Sequence, residues 1–208
     1  MVLILGITGG LATGKSSVAQ MFGNLGAKVV SADKIARELL KPRSLYFERV
    51  VKEFGQEILK NGEIDRKKLA DIVFKDRSKL KRLERIVHPQ VKKMIRKEIQ
   101  AYKKFTKKGV IVLDVPLLFE AGLEKFVQYT IVVKASRKEQ LKRAQKLSLD
   151  RNKALERIRA QWPLGAKLRL ADIVINNEGS KKQTEKKVKR IWQKLTLNQD
   201  KHFVSGSG

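Results

Sequence analysis

Residues 9–16 read Gly-Gly-Leu-Ala-Thr-Gly-Lys-Ser and fit G-x-x-x-x-G-K-[ST], a spacing that wraps a phosphate chain. Gly9, Gly10 and Gly14 let the backbone curl so that several N–H groups converge on one anion. The helix expected to start there adds the partial positive charge of its N-terminus. Lys15 can reach the outer phosphates, and the Ser16 hydroxyl can ligate the magnesium that accompanies them. The chain is therefore expected to bind a nucleoside triphosphate through Gly10, Leu11, Ala12, Thr13, Gly14, Lys15, Ser16 and Ser17.

Such a loop works only between a strand and a helix, and both are legible. Residues 2–7 form a short apolar, β-branched run suited to a buried strand. Val18, Met21, Phe22 and Leu25 recur at helical spacing just after the loop.

The 208 residues suit one compact domain with small insertions. Cysteine is absent, which excludes a disulfide framework and a thiolate metal site or nucleophile. His88 and His202 are too few and too distant for a zinc cluster. No apolar run approaches membrane-spanning length and no signal segment is recognisable, so a soluble cytoplasmic protein with no membrane partner is expected. Lys and Arg number 47 against 21 Asp and Glu, a formal charge of +26. That excess fits either anionic partners or a lysine-rich solvated surface. The basic residues are spread along the chain and only 13 of its residues are aromatic, so nucleic acid is not the expected partner.

Strand and helix signals alternate. A second strand is expected at 28–31, then a nearly all-helical block with helices at 34–40, 44–54, 65–74 and 79–105. Pro89 should kink the last of these or open a new helix. Strands resume at 110–115, 129–134 and 173–176, with helices at 137–146 and 181–195. The pattern is α/β: a doubly wound parallel sheet of P-loop kinase type, with an inserted helical substrate subdomain and a helical lid. The expected division is core at 1–37, acceptor subdomain at 38–107, core at 108–146, lid at 147–169, core at 170–197 and a disordered tail at 198–208.

Further segments carry a resemblance. I-T-G-G-L-A-T-G-K-S-S-V-A at 7–19 is followed by S-A-D-K-I-A-R-E-L-L at 31–40 and F-G-Q-E-I-L-K-N-G-E-I-D-R-K-K-L at 54–69. Then come H-P at 88–89, D-V-P-L-L-F-E at 114–120, R-I-R-A-Q at 157–161 and A-D-I-V-I-N-N-E-G at 171–179. In this order and spacing the chain resembles the dephospho-coenzyme A kinases over about residues 1–195. The resemblance implies ATP-dependent, magnesium-assisted phosphorylation of the ribose 3′-hydroxyl of dephospho-coenzyme A, the last step of coenzyme A synthesis.

It also implies roles. Asp33 resembles the carboxylate that activates the acceptor hydroxyl, although an Asp there also suits a helix N-cap. Asp114 resembles a strand-end acid that holds magnesium through water, or it is a turn residue. Arg66, His88, Pro116, Leu117, Leu118 and Glu120 fall on acceptor-side segments; the leucines equally suit a core, His88 a structural role and Arg66 a solvated one. Arg143 and then Arg157, supported by Gln161, are the expected cations over the transferring phosphoryl group, against the alternative of a solvated basic helix. Asn177 lies in the stretch that runs beside the adenine in this family.

Two departures stand out. Ser31-Ala32-Asp33 replaces the common Asp-Ala-Asp, and Leu147 stands where a second lid arginine is usual. The enzymatic alternative is a nucleoside or nucleotide kinase on the same core. A basic nucleic-acid-binding protein is the alternative of another class.

Overall fold

In a computed structural model, which describes residues 1–204, strand β1 (Val2–Gly9) runs into the glycine loop and helix α1 (Lys15–Asn24). Strand β2 (Lys28–Ser31) leads directly into α2 (Ala32–Leu39), followed by α3 (Leu45–Phe54). A small hairpin, β3 (Leu59–Lys60) and β4 (Glu63–Ile64), precedes α4 (Arg66–Val73) and the long α5 (Arg77–Phe105). The chain continues through β5 (Gly109–Asp114), β6 (Tyr129–Lys134), α6 (Arg137–Lys146), α7 (Arg151–Ala160), α8 (Leu164–Arg169), β7 (Ile173–Asn176) and α9 (Lys181–Val204).

Five of the strands form one parallel sheet in the order β2-β5-β1-β6-β7. Its central strands are apolar throughout because both faces are covered. Successive side chains of β1 alternate between those faces. Ile4 joins Val30, Ile111 and Leu113 under α2–α5, while Leu3, Leu5 and Ile7 pack with Val18, Phe22, Val188 and Leu195 of α1 and α9. Parallel strands place their carboxyl ends on one edge, where the loops after β1, β5 and β7 and the start of α2 gather.

The helical block has strong local signals. Ser44, Asp65 and Asp76 each accept backbone N–H bonds at the starts of α3, α4 and α5, satisfying donors that helix ends leave free. Helix α5 runs through Pro89 as one element, where the sequence suggests a kink or a fresh start. Proline inside a helix costs about 3 kcal/mol. Val87, Val91, Ile95 and Ile99 continue one buried stripe across it, and each buried aliphatic side chain contributes about 1.5–3 kcal/mol. Packing prevails over the lost bond.

The β3–β4 hairpin is an addition to the expected elements. Asn61 (φ 53°) and Gly62 (φ 78°) make its turn. At the other end of the chain, α9 continues to Val204, in place of a tail from residue 198. That stretch holds neither Gly nor Pro up to Val204, so no residue breaks the helix begun at Lys181. Residues 205–208 of the expected tail lie outside the described residues.

Candidate active site

The phosphate loop spans the gap between Gly9 and Lys15. Gly14 caps α1 in a left-handed conformation (φ 87°) and Ala12 also has positive φ (54°), so the turn is bent tightly around its own N–H groups. A side chain on Gly14 would have its Cβ 2.2 Å from Asn177 Nδ2, which explains the glycine beyond its φ. Thr13 is fully buried, and its Oγ1 donates to Gly10 O at 3.0 Å.

Two side chains from distant segments hold this loop. Asn177 Nδ2 donates to Thr13 O at 2.8 Å, and Asn177 Oδ1 accepts from Thr184 Oγ1 at 2.8 Å. Arg143 Nη1 donates to the same Thr13 carbonyl at 3.3 Å, Nη2 donates to Asn177 O at 2.7 Å, and Nε pairs with Glu139 at 2.9 Å. Arg143 thus sits on α6, ahead of the lid helix, with its donors on loop backbone. Asn177, expected beside a base, spends its amide on the loop itself.

Asp33 falls in the first turn of α2, and the cap of that helix is Ser31, whose Oγ accepts from Lys34 N at 3.4 Å. The carboxylate is therefore not used as a cap. It lines a cavity of about 360 Å³ together with Leu11, Lys15, His88, Pro116, Leu117, Arg157 and Gln161. Much of the remaining wall is apolar, from Phe74, Leu80, Leu83, Val87 and Val91. The guanidinium of Arg157 lies 5.2 Å over the Phe74 ring, and Lys153 pairs with Asp71, so α7 rests on α4 above the cavity. The buried Gln161 Oε1 has no hydrogen-bond partner.

Asp114 ends β5 in a buried position, with Oδ1 unpartnered. Burial raises its carboxyl above the usual range; the Ser16 hydroxyl and the Lys15 ammonium oppose that shift, and Asp33 reinforces it. Four groups from β5, α2 and the phosphate loop are therefore within electrostatic reach of one another. Burial and Lys92 push the His88 imidazole below its ordinary value, so it faces the cavity neutral at pH 7, with Glu120 opposing the shift.

Three expected acceptor residues are placed elsewhere. Leu118 is fully buried against Gly6 in the core, because the chain turns inward directly after Leu117. Arg66 is exposed at the start of α4 and does not line the cavity. Glu120 does not line the cavity: its Oε1 is bound to the buried Lys167 at 2.7 Å and to Trp162 N at 3.0 Å, while its Oε2 is buried without a partner. Sequence reading missed Lys167 and also Glu84, a cavity-wall carboxyl raised by burial and by Glu120. A lysine within a basic stretch and a glutamate on a charged helix carry no periodic signal that separates them from solvated neighbours.

Among the described residues, no group of three or more His, Asp or Glu side chains is placed to hold a metal, and no helix is long and apolar enough to cross a membrane.

The family model described as dephospho-CoA kinase matches residues 3–183. Dephospho-CoA kinases of Carboxydothermus hydrogenoformans and Bacillus licheniformis are 46% and 43% identical to this chain, covering 92% of it and 93% and 96% of their own lengths. A solved dephospho-CoA kinase from Campylobacter jejuni superposes with a TM-score of 0.68 at 31% identity, covering 96% of this chain and 100% of that one. A shikimate kinase from Bacteroides thetaiotaomicron, 14% identical with a TM-score of 0.51 over 93% and 98% of the two chains, shares the fold.

Proposed function

The chain belongs to the dephospho-CoA kinase family, and we propose on that premise that it transfers the γ-phosphoryl group of ATP to the ribose 3′-hydroxyl of dephospho-CoA, releasing ADP and CoA. One observation carries the site-level reading: Lys15 of the phosphate loop, Asp33 and the lid residue Arg157 line the same cavity. A donor phosphate, an acceptor hydroxyl and a closing cation thereby have a common meeting point.

In this reading the loop N–H groups and Lys15 bind the β- and γ-phosphates, and Lys15 neutralises charge that grows during transfer. Asp33 orients the acceptor hydroxyl and takes its proton as the new P–O bond forms. Arg157 covers the transferring group, while Gln161 and the α7 helix exclude water that would otherwise hydrolyse ATP. Arg143 acts through the loop it clamps. In the same reading the apolar wall from α4 and α5 and His88 receive the rest of the acceptor, with residues 38–107 as the acceptor subdomain and 147–169 as the lid.

Magnesium fits the residues present. Asp114 Oδ1 is buried without a partner and the Ser16 hydroxyl is close by, a small oxygen set of the kind magnesium accepts beside substrate phosphates and water. When bound, the ion offsets negative charge on the phosphates.

The test is ADP release with ATP and magnesium against dephospho-CoA, adenosine monophosphate and thymidine, with the product weighed by mass spectrometry. Turnover is expected with dephospho-CoA and a gain of one phosphoryl group. Turnover confined to the nucleotide or nucleoside would overturn the assignment.

A further inference from the structure

We propose that Lys167 is a positioning residue for the transfer reaction, which holds the acceptor-side loop 115–121 and the end of α7 in one register against the phosphate-loop strand. The proposal rests on the assignment of the cavity to the acceptor.

Lys167 lies on α8 in a basic stretch, yet it is fully buried. Removing an ammonium from water is unfavourable, so its partners must offset the loss. Its Nζ lies 2.7 Å from Glu120 Oε1 and donates to Pro116 O at 2.8 Å. The Pro116 carbonyl also accepts from Thr8 Oγ1 at 3.0 Å, and Thr8 immediately precedes the glycine loop on β1. Glu120 Oε1 in turn accepts from Trp162 N at 3.0 Å, just past the end of α7. One buried ammonium therefore links the end of strand β1, through the shared Pro116 carbonyl, with both ends of the acceptor-side loop and the end of α7.

The bonded residues adjoin the site. Pro116 itself lines the cavity with Lys15 and Asp33, Ala121 follows Glu120 in the wall, and Gln161 precedes Trp162 there. Lys15 is close enough to disfavour the charge on Lys167, while Glu120 favours it. A shift of the loop or of the end of α7 would move the acceptor relative to Asp33, and small misplacements of reacting groups are costly in rate.

A pair that served stability alone could be replaced by apolar residues of similar volume without loss. The experiment uses that difference. Steady-state kinetics with ATP and dephospho-CoA, together with melting temperatures, are measured for the full chain and for Lys167→Met, Lys167→Met/Glu120→Met and Thr8→Val. Lys167→Met alone should lose stability, because the largely buried Glu120 carboxylate is left without its cation. The double variant should regain the melting temperature but keep an acceptor KM raised about tenfold or more, with the ATP KM within about twofold of wild type. Thr8→Val, a near-isosteric change, should raise the acceptor KM a few-fold in the same direction. Wild-type acceptor KM and kcat in the folded double variant would overturn the proposal, as would the same result in Lys167→Met, assayed below its melting temperature, if the double variant fails to fold. Absence of dephospho-CoA turnover in the wild-type chain is a separate outcome, and it overturns the function rather than the role of Lys167.

Discussion

The side-chain amide of Asn177 donates to the Thr13 carbonyl at 2.8 Å, joining the segment after the last sheet strand to the middle of the phosphate loop. Thr184 donates to the other end of the amide, so its NH₂ group must face Thr13. Asn177→Asp replaces that donor with a carboxylate facing a carbonyl. The loop should lose its bent geometry although its sequence motif is intact. Isothermal titration is expected to show ATP affinity lowered about tenfold or more, since a buried hydrogen bond becomes a repulsion. Unchanged affinity would show that Arg143 alone holds Thr13.

Lys15→Ala is expected to lower kcat about a hundredfold to a thousandfold, the range for removing one charge-stabilising donor from a transition state. Lys15 is only partly buried, so the circular dichroism spectrum and melting temperature should stay near wild type. Near-wild-type turnover would remove the glycine loop from the proposed chemistry.

The phosphate loop was legible because three constraints coincide in eight residues: glycines for the turn, a lysine, and a hydroxyl at the helix start. Central strands were legible because burial on both faces leaves continuous apolar runs such as the one ending at Asp114. The β3–β4 hairpin carries a signal too, since Asn61-Gly62 is a strong turn pair, but the helical periodicity on either side of it masks two strands of two residues each. The partners of polar side chains were not legible. Nothing in the spacing reveals that Arg143 and Asn177 both reach Thr13, or that Glu120 meets Lys167. Those bonds join residues far apart in sequence, and only the topology of the sheet brings them together.

Arg157 stands over the Phe74 ring and faces the cavity. Arg157→Ala should lower kcat about tenfold to a hundredfold with little change in the ATP KM, because its charge serves the transition state rather than ground-state binding. Arg157→Lys should recover only part of this, since an ammonium lacks the planar stacking surface. A change confined to the ATP KM would reassign Arg157 to nucleotide binding.

Asp114 yields a prediction with a defined sign in pH. Burial raises its folded-state carboxyl above the unfolded value, so the folded chain binds this proton more tightly. The associated stability is fully present below the unfolded pKa and is lost as pH rises through the folded one. At neutral pH, without nucleotide or magnesium, the ionised group is a net cost that Asp114→Asn removes. That variant should melt a few degrees higher than wild type at pH 7–8, with the gain shrinking as the buffer is taken toward the ordinary carboxylate range. Magnesium-dependent stabilisation by ATP should weaken in the same variant. A lower melting temperature at neutral pH would mean that the Asp114 carboxylate is stabilised in the folded chain, the opposite of a raised pKa.

Asp33→Asn separates base from scaffold. Ser31 supplies the cap of α2, so the substitution leaves that hydrogen bond in place and preserves side-chain size. Asn at this position cannot take a proton from the acceptor hydroxyl. Stability should hold, ATP affinity should hold because the phosphate-loop contacts do not involve this side chain, and kcat should fall by on the order of a hundredfold, within the usual range for general-base catalysis. The transition state of phosphoryl transfer is often loose, with little proton movement at its peak, so part of this effect is orientation of the hydroxyl. Full activity in Asp33→Asn would exclude Asp33 from the mechanism and leave Asp114 as the next carboxylate to test.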